Sequence, residues 1–276
     1  MTVLLFFIVV VAALLALAGL LHAAGNYAPA LARLLRQAPG LDVVVFAFLV
    51  APPAAAMALW AGLDVYDRPG LWLLLGVAVL AQSTTLVVWS FLHEMHPKHK
   101  DTRRTIFKTL NRAVGGWRNH LAVWWTSLAA PLFILIRIAE YIVYPPLTWL
   151  IRLPKYKSAD WINVSRTKFD GLVGYDLVWC LYCDWMTGVW SLGGEMLRNV
   201  ESFWCPIRFS NTAKCANCKT DFPDIDGGWV DESADMPAVQ TVLEDRYVEN
   251  QGKPNAWFGH PARLTVEGKE PKETAS

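Results

Sequence analysis

The feature that most constrains this chain is an uncharged apolar run of 19 residues near its start, residues 3–21. At about 1.5 Å per residue, a helix of that length matches the ~30 Å hydrocarbon core of a bilayer. A cleaved signal peptide is the alternative, but no Lys or Arg precedes the run, which also exceeds the ~7–15 residues of a typical signal-peptide apolar region. The run therefore predicts a membrane-spanning helix.

Two more apolar stretches of spanning length follow, residues 41–63 and 70–92. The pair Pro52-Pro53 in the first stretch predicts a kink, because proline lacks an amide donor and clashes with the preceding turn. The second stretch is interrupted only by a polar stripe from Gln82 to Thr85. We expect these side chains to bond carbonyls of their own helix rather than a neighbouring helix.

The charges of the connecting loops predict the orientation, because short cytoplasmic loops collect Lys and Arg. Residues 22–40 carry two arginines and no acid, and residues 93–120 carry seven basic residues against two acids. The connection 64–69 instead has two acids and one base. We therefore expect an integral protein of the plasma (inner) membrane, with its N-terminus outside and the 93–120 loop in the cytoplasm.

Residues 121–153 leave the number of spans open. Their apolar part, residues 121–136, is only 16 residues long and is followed by charged residues and a Pro-Pro pair. The stretch either crosses as a tilted fourth span or forms a re-entrant or interfacial helical hairpin, with Trp and Tyr side chains at headgroup level. We favour the hairpin, because three basic residues beyond it suit a cytoplasmic exit: Arg152, Lys155 and Lys157.

The strongest functional signal is that all five cysteines fall within residues 180–218. Two Cys-x2-Cys pairs, 31 residues apart, can each offer two thiolates, and together they would complete a four-thiolate zinc site. The gap exceeds the ~15–20 residues of common zinc ribbons. An iron–sulfur centre, disulfides outside the cytoplasm and plain buried thiols therefore stay open as alternatives. The predicted metal ligands are Cys180, Cys183, Cys215 and Cys218, with Cys205 between the pairs as a possible extra ligand.

Histidines at the end of the third predicted span form a second candidate site. His93, His96 and His99 could share a metal ion, but Pro97 disturbs a helix there, and contacts with anionic lipid explain such residues more simply. His96 and Asp101 have the His-x4-Asp spacing used by some membrane acyltransferases. No phosphate-binding glycine motif accompanies that spacing.

These observations predict three parts. Residues 1–153 form an all-α polytopic membrane domain, with three transmembrane helices plus a re-entrant hairpin or fourth span. Residues 154–248 form a small Cys-rich, metal-stapled domain, and residues 249–276 form a flexible tail rich in Gly, Pro, Lys and Glu. Within the second part we expect a short amphipathic helix at 195–203 after a break at Gly193-Gly194, and a helix or strand at 238–248.

An amino-acid composition typical of membrane proteins and a near-neutral net charge limit the functions that this chain can have. It is 54% hydrophobic and 18% charged, and its net charge of +1 argues against a nucleic-acid partner. The leading prediction is non-enzymatic: a scaffold, assembly or accessory subunit in the lipid bilayer that presents a cytoplasmic zinc-stabilised domain to a protein partner. The alternatives are an electron-transfer protein with an iron–sulfur centre and a lipid-modifying enzyme.

Overall fold

The computed structural model of the chain describes residues 2–63, 69–95, 105–151, 153–165, 172–204, 230 and 233–248. Within these residues the protein is mostly helical and has no β-strand. An isolated antiparallel bridge joins Gln37 and Asn163. The predicted all-α class is confirmed for the described residues, whereas the predicted tail lies outside them.

Twelve α-helices are seen in the described part of the chain. They are α1 (Val3–Tyr27), α2 (Pro29–Leu35), α3 (Gly40–Leu49), α4 (Ala51–Gly62), α5 (Leu71–Glu94), α6 (Ile106–Val114), α7 (Gly116–Thr126), α8 (Ala130–Ile142), α9 (Tyr144–Leu150), α10 (Ser158–Trp161), α11 (Gly174–Trp204) and α12 (Met236–Val242). A 3-10 turn, Ser127–Ala129, joins α7 to α8, and a π-helical turn, Leu243–Val248, follows α12. The helix alternative predicted for residues 238–248 is therefore confirmed.

Three helical segments are long and apolar enough to cross a membrane: Val3–Tyr27, Leu71–Glu94 and Gly116–Leu150. A fourth crossing is counted if α3 and α4, which meet at a 49° bend, act as one span. The stretches predicted as the first and third spans thus form helices of the expected length, whereas the stretch predicted as the second span forms the bent pair α3 and α4. This architecture is compatible with a membrane protein.

Helices α1, α4 and α5 pack against one another, each through one of its sides. In this contact Ala56, Ala78 and Ala81 are fully buried. Small side chains at such positions let helix backbones approach closely. The outer sides carry exposed apolar residues, as at Leu4 and Leu80, which are 67% and 57% exposed. Apolar surface of this extent is what lipid tails cover in a membrane protein.

The predicted kink lies where α3 meets α4. The pair Pro52-Pro53 lies in the first turn of α4. The prolines lack the N–H groups that would bond the carbonyls of Phe48 and Leu49 in a regular helix. The Gln82 amide of α5 donates to both carbonyl oxygens instead, at 2.6 and 3.1 Å. The expectation that Gln82 bonds its own helix is therefore wrong, whereas Thr85 does so, donating 2.8 Å to a carbonyl one turn back.

Residues Gly116–Leu150 form one helical segment of 35 residues, built from α7, the 3-10 turn, α8 and α9. At about 1.5 Å per residue such a segment is roughly 50 Å long. Every residue of it is described, and it lacks the reversal that the predicted hairpin requires. Two arrangements are compatible with it: a crossing, or a helix that lies along the membrane surface.

Helix α11 is a single helix of 31 residues. The predicted break at Gly193-Gly194 and the separate helix at 195–203 are therefore wrong. A glycine inside a helix costs only about 1 kcal/mol relative to alanine, and close packing can offset that cost. At Gly193 a Cβ atom would lie 2.9 Å from Ile136 Cγ2, so the glycine permits close approach of α8.

The chain divides into two compact units. The first contains Met1–Ile134 and Ile162–Gly188, and the second contains Leu135–Trp161 and Val189–Ser276. Helices α8 and α11 each contribute residues to both units. The boundary predicted after residue 153 stays a prediction.

Candidate functional site

The structure places the first predicted cysteine pair on α11, one helical turn apart. Cys180 and Cys183 carry half-buried thiols. The Cys183 sulfur lies 4.0 Å from the hydroxyl oxygen of Thr187. The other three cysteines lie outside the described residues: Cys205, Cys215 and Cys218.

Two thiols at this spacing can serve one metal ion. Cβ atoms three residues apart on a helix are about 5–6 Å apart, and zinc holds thiolate sulfur at about 2.3 Å. Within the described ranges, no group of three or more His, Cys, Asp or Glu side chains converges. A four-ligand site on Cys180 and Cys183 therefore needs further ligands from elsewhere in the chain, the role predicted for Cys215 and Cys218.

The N-terminus of α11 is held against the end of α5. The Gly174 N–H donates a 3.0 Å hydrogen bond to His93 Nδ1. Gly174 has a φ of +52°, and a Cβ atom there would lie 2.8 Å from the carbonyl oxygen of Ser90. Glycine alone combines this backbone conformation with so close an approach.

His93 lies between two rings that fix its orientation. It stacks on Trp89 with ring centroids 4.7 Å apart, and it meets His22 edge to face at 5.3 Å. Its Nδ1 accepts the hydrogen bond from Gly174, so this nitrogen is already engaged within the protein. The geometry gives His93 a helix-positioning role, which differs both from the favoured lipid contact and from the less favoured metal site. The other residues of these two candidate sites lie outside the described part: His96 and His99 of the histidine cluster, and Asp101, which was paired with His96.

A second contact fixes α11 to the start of α6. Asp176 accepts hydrogen bonds from the Ile106 N–H at 2.7 Å and from the Phe107 N–H at 2.9 Å. Thr105 caps the same helix, since its hydroxyl accepts from the Lys108 N–H. A carboxylate at a helix N-terminus satisfies donors that lack partners within the helix, and it complements the positive end of the helix dipole.

A third contact fixes α11 to α3. The Trp185 indole N–H donates a 3.0 Å hydrogen bond to Asp42 Oδ1. The two residues are only 1% and 3% exposed. A buried carboxylate needs such a partner, because an uncompensated charge away from water is costly. Helix α11 is thus anchored on both sides of the cysteine pair.

Aromatic rings surround the turn of α11 that precedes the cysteines. Trp179 contacts Trp124, Tyr175 and Tyr182, with ring centroids 5.7, 5.7 and 5.9 Å apart. Burial raises the pKa of Tyr175 and raises the pKa of Tyr182 to about 12, so both phenols stay neutral near pH 7.

In the second unit, the C-terminal half of α11 carries a buried polar network. Asn199 is fully buried and donates to the Tyr156 hydroxyl and, at 3.1 Å, to the backbone carbonyl of Glu195. Tyr156 donates 3.2 Å to Glu195 Oε1. Tyr144 donates 2.9 Å to the carbonyl oxygen of Pro154. The network ties the chain that follows α9 to both α9 and α11.

The same unit also contains a buried ion pair, on α8. Arg137 and Glu140 are 1% and 6% exposed, and Arg137 Nη1 lies 2.5 Å from Glu140 Oε2. Arg137 Nη2 also donates 2.8 Å to the Tyr141 hydroxyl. Pairing neutralises the two charges where each alone would be costly. A Cβ atom on Gly193 would lie 3.0 Å from Glu140 Oε1, so α11 covers the pair closely.

The roles of three of these polar residues do not follow from the sequence, because their partners are far away along the chain. Trp185 is 143 residues from Asp42, Asp176 is 70 from Ile106, and Asn199 is 43 from Tyr156. No local pattern reveals such a partner. For Asp42, the sequence shows only that a carboxylate lies at the edge of an apolar stretch.

The chain was compared with protein-family models, with curated proteins and with solved structures, and none of them matches it.

Proposed function

We propose that this chain is an integral membrane scaffold or accessory subunit that holds α11 rigidly and presents a zinc-bound Cys-rich domain to a protein partner. The observation that carries the proposal is the anchoring of α11 on both sides of Cys180 and Cys183. Three polar contacts provide it, Gly174 with His93, Asp176 with α6, and Trp185 with Asp42. Rigid placement of two thiols is what a shared metal site requires.

The contacts of α11 also support a cytoplasmic position for its first half. Helix α1 ends at Tyr27, α3 begins at Gly40 and α5 ends at Glu94, so these termini share one face if the three helices cross in alternating directions. His93 and Asp42 lie within two residues of such termini. The basic loops belong to the same termini, and positive charge marks the cytoplasmic side.

Metal analysis of the full chain in detergent tests the proposal. We expect about one zinc per chain in the wild type, and we expect each of four single variants to lose it. The variants are Cys180→Ser, Cys183→Ser, Cys215→Ser and Cys218→Ser. Cys205→Ser is the matched control, which keeps the zinc if the four paired cysteines are the ligands.

Other results would assign a different role. Iron with inorganic sulfide would overturn the zinc scaffold in favour of electron transfer. A metal-free chain whose cysteines react with a thiol reagent only after reduction would indicate disulfides and a domain outside the cytoplasm. For the partner, chemical crosslinking in native membranes should capture a defined protein with the wild type and lose it with Cys215→Ser.

A further inference from the structure

Helix α6 presents three distinct faces. Phe107 points toward protein, with its ring 4.5 Å from His120 and 4.9 Å from Tyr175 by centroid. Ile106 and Leu110, one turn apart, are 52% and 43% exposed. The two basic residues of the helix, Lys108 and Arg112, are exposed on the side opposite to this apolar stripe.

Helix α7 continues the exposed apolar surface. Trp117, Leu121 and Trp125 recur every fourth residue, and they are 69%, 55% and 69% exposed. Together with Arg118 they form one continuous exposed surface. The Arg118 guanidinium lies 5.5 Å from the centre of the Trp117 ring, so a cation stands beside the aromatic surface.

The charge of this segment has one sign. From Ile106 to Thr126 the sequence contains three basic residues and no acidic residue. A helix with an apolar stripe, a basic opposite face and adjacent Trp residues is typical of segments that lie in the interface of a membrane. Lys and Arg can bury their aliphatic stems there while their charged ends reach the headgroups.

The position of α6 agrees with that of an interfacial helix. Its first two N–H groups bond Asp176, and Asp176 follows Gly174 by two residues. Gly174 in turn bonds His93, which lies one residue before the end of α5. The start of α6 is therefore held beside the terminus of a membrane-spanning candidate.

We propose that the α6–α7 surface binds a lipid leaflet that carries anionic headgroups. Ile106, Leu110, Trp117, Leu121 and Trp125 would enter the boundary between headgroups and acyl chains, and Lys108, Arg112 and Arg118 would contact the lipid phosphates. The inference goes beyond the zinc site and rests on the membrane placement of the proposed function. It assigns the basic loop a lipid ligand.

Hydrogen–deuterium exchange of the full chain in nanodiscs tests this surface. One set of discs contains phosphatidylcholine alone, and the other also contains phosphatidylglycerol. We expect the α6 amides to exchange about tenfold more slowly in the anionic discs, because each basic side chain near an anionic surface adds to binding. Raising the salt concentration should reduce the difference, because salt screens the attraction.

A charge-reversed variant and a matched control isolate the effect. Lys108→Glu with Arg112→Glu should remove the difference between the two lipid compositions. Lys155→Glu with Lys157→Glu changes the net charge equally at two other exposed lysines, and it should leave α6 exchange unchanged. Equal exchange of α6 in both discs with the wild type would overturn the proposal, even if the variant fails to insert.

The same experiment separates this inference from the proposed function. Peptides from α1 and α5 report whether the chain is inserted at all, and metal content reports the zinc site. If the amides of α1 and α5 are protected while α6 exchanges equally in both lipid compositions, only the proposed lipid binding of the α6–α7 surface is rejected. Rapid exchange throughout α1 and α5 would reject the membrane placement on which both proposals depend.

Discussion

At the residue scale, the hydrogen bond between Asp42 and Trp185 is the most buried of the three contacts that fix α11. Asp42→Leu would leave the buried indole N–H without this acceptor, which costs about 1–3 kcal/mol in the free energy of unfolding. Asp42→Asn is the matched control, because its amide oxygen can still accept the bond. The thermal unfolding midpoint of the chain in detergent should fall more for the leucine variant.

Equal midpoints for the two Asp42 variants would show that the hydrogen bond contributes little. The packing of the Trp185 ring, which is 1% exposed, would then account for the contact. Trp185→Phe provides the complementary test, since it removes the N–H and keeps most of the apolar surface. We expect its midpoint to fall at least as far as that of Asp42→Leu, because it leaves the buried carboxylate without this donor and the ring site underfilled.

At the element scale, two adjacent glycines of α11 differ in what surrounds them. A Cβ atom on Gly193 would meet Ile136 Cγ2 at 2.9 Å, whereas one on Gly194 would meet nothing within 4 Å. Gly193→Ala should therefore destabilise the packing of α8 on α11, by about 1–3 kcal/mol. Gly194→Ala should be neutral or stabilising by up to ~1 kcal/mol, because alanine favours the helix.

Chemical or thermal unfolding of the two alanine variants, side by side in one detergent, measures this difference. Each variant adds one methyl group to the same helix, so helix propensity is matched. If both variants gained stability, the close approach of α8 at Gly193 would be contradicted.

The bend between α3 and α4 gives a second prediction for an element. Gln82→Leu would leave the carbonyls of Phe48 and Leu49 without their amide donor, at a cost of about 1–2 kcal/mol. Pro52→Ala with Pro53→Ala restores backbone N–H groups that can bond these carbonyls. In that background Gln82→Leu should cost much less, which unfolding of the four chains in a double-mutant cycle would reveal. An unchanged cost would mean that Gln82 acts through other contacts.

These elements show which features a sequence can predict. The three apolar runs and the kink at Pro52-Pro53 follow from length, hydropathy and the missing proline donor, and all are local properties. The break expected at Gly193-Gly194 was wrong because a tertiary contact, the close approach of α8, overrides the weak helix propensity of glycine. Gln82 was misassigned for the same reason, since its partners lie in another helix.

At the scale of the whole molecule, the cysteine pairs and the anchors of α11 involve different parts of the chain. The contacts of Gly174, Asp176 and Trp185 all belong to the first compact unit. The second cysteine pair follows α11, beyond Trp204. We expect the membrane part to position α11 and the Cys-rich part to engage a partner. Removal of the Cys-rich part should then leave α11 in its place.

A chain that ends at Trp204 tests this separation. Its residues 174–188 should keep the amide protection they have in the full chain, because every anchor named above is retained, whereas bound zinc should be lost with Cys215 and Cys218. Hydrogen–deuterium exchange in nanodiscs and metal analysis measure the two properties. Asp42→Leu in the full chain is the converse test, in which residues 174–188 should exchange faster and zinc should bind more weakly, because rigid placement of the two thiols supports the metal site. Rapid exchange of these residues in the shortened chain would show that the Cys-rich part helps to hold α11.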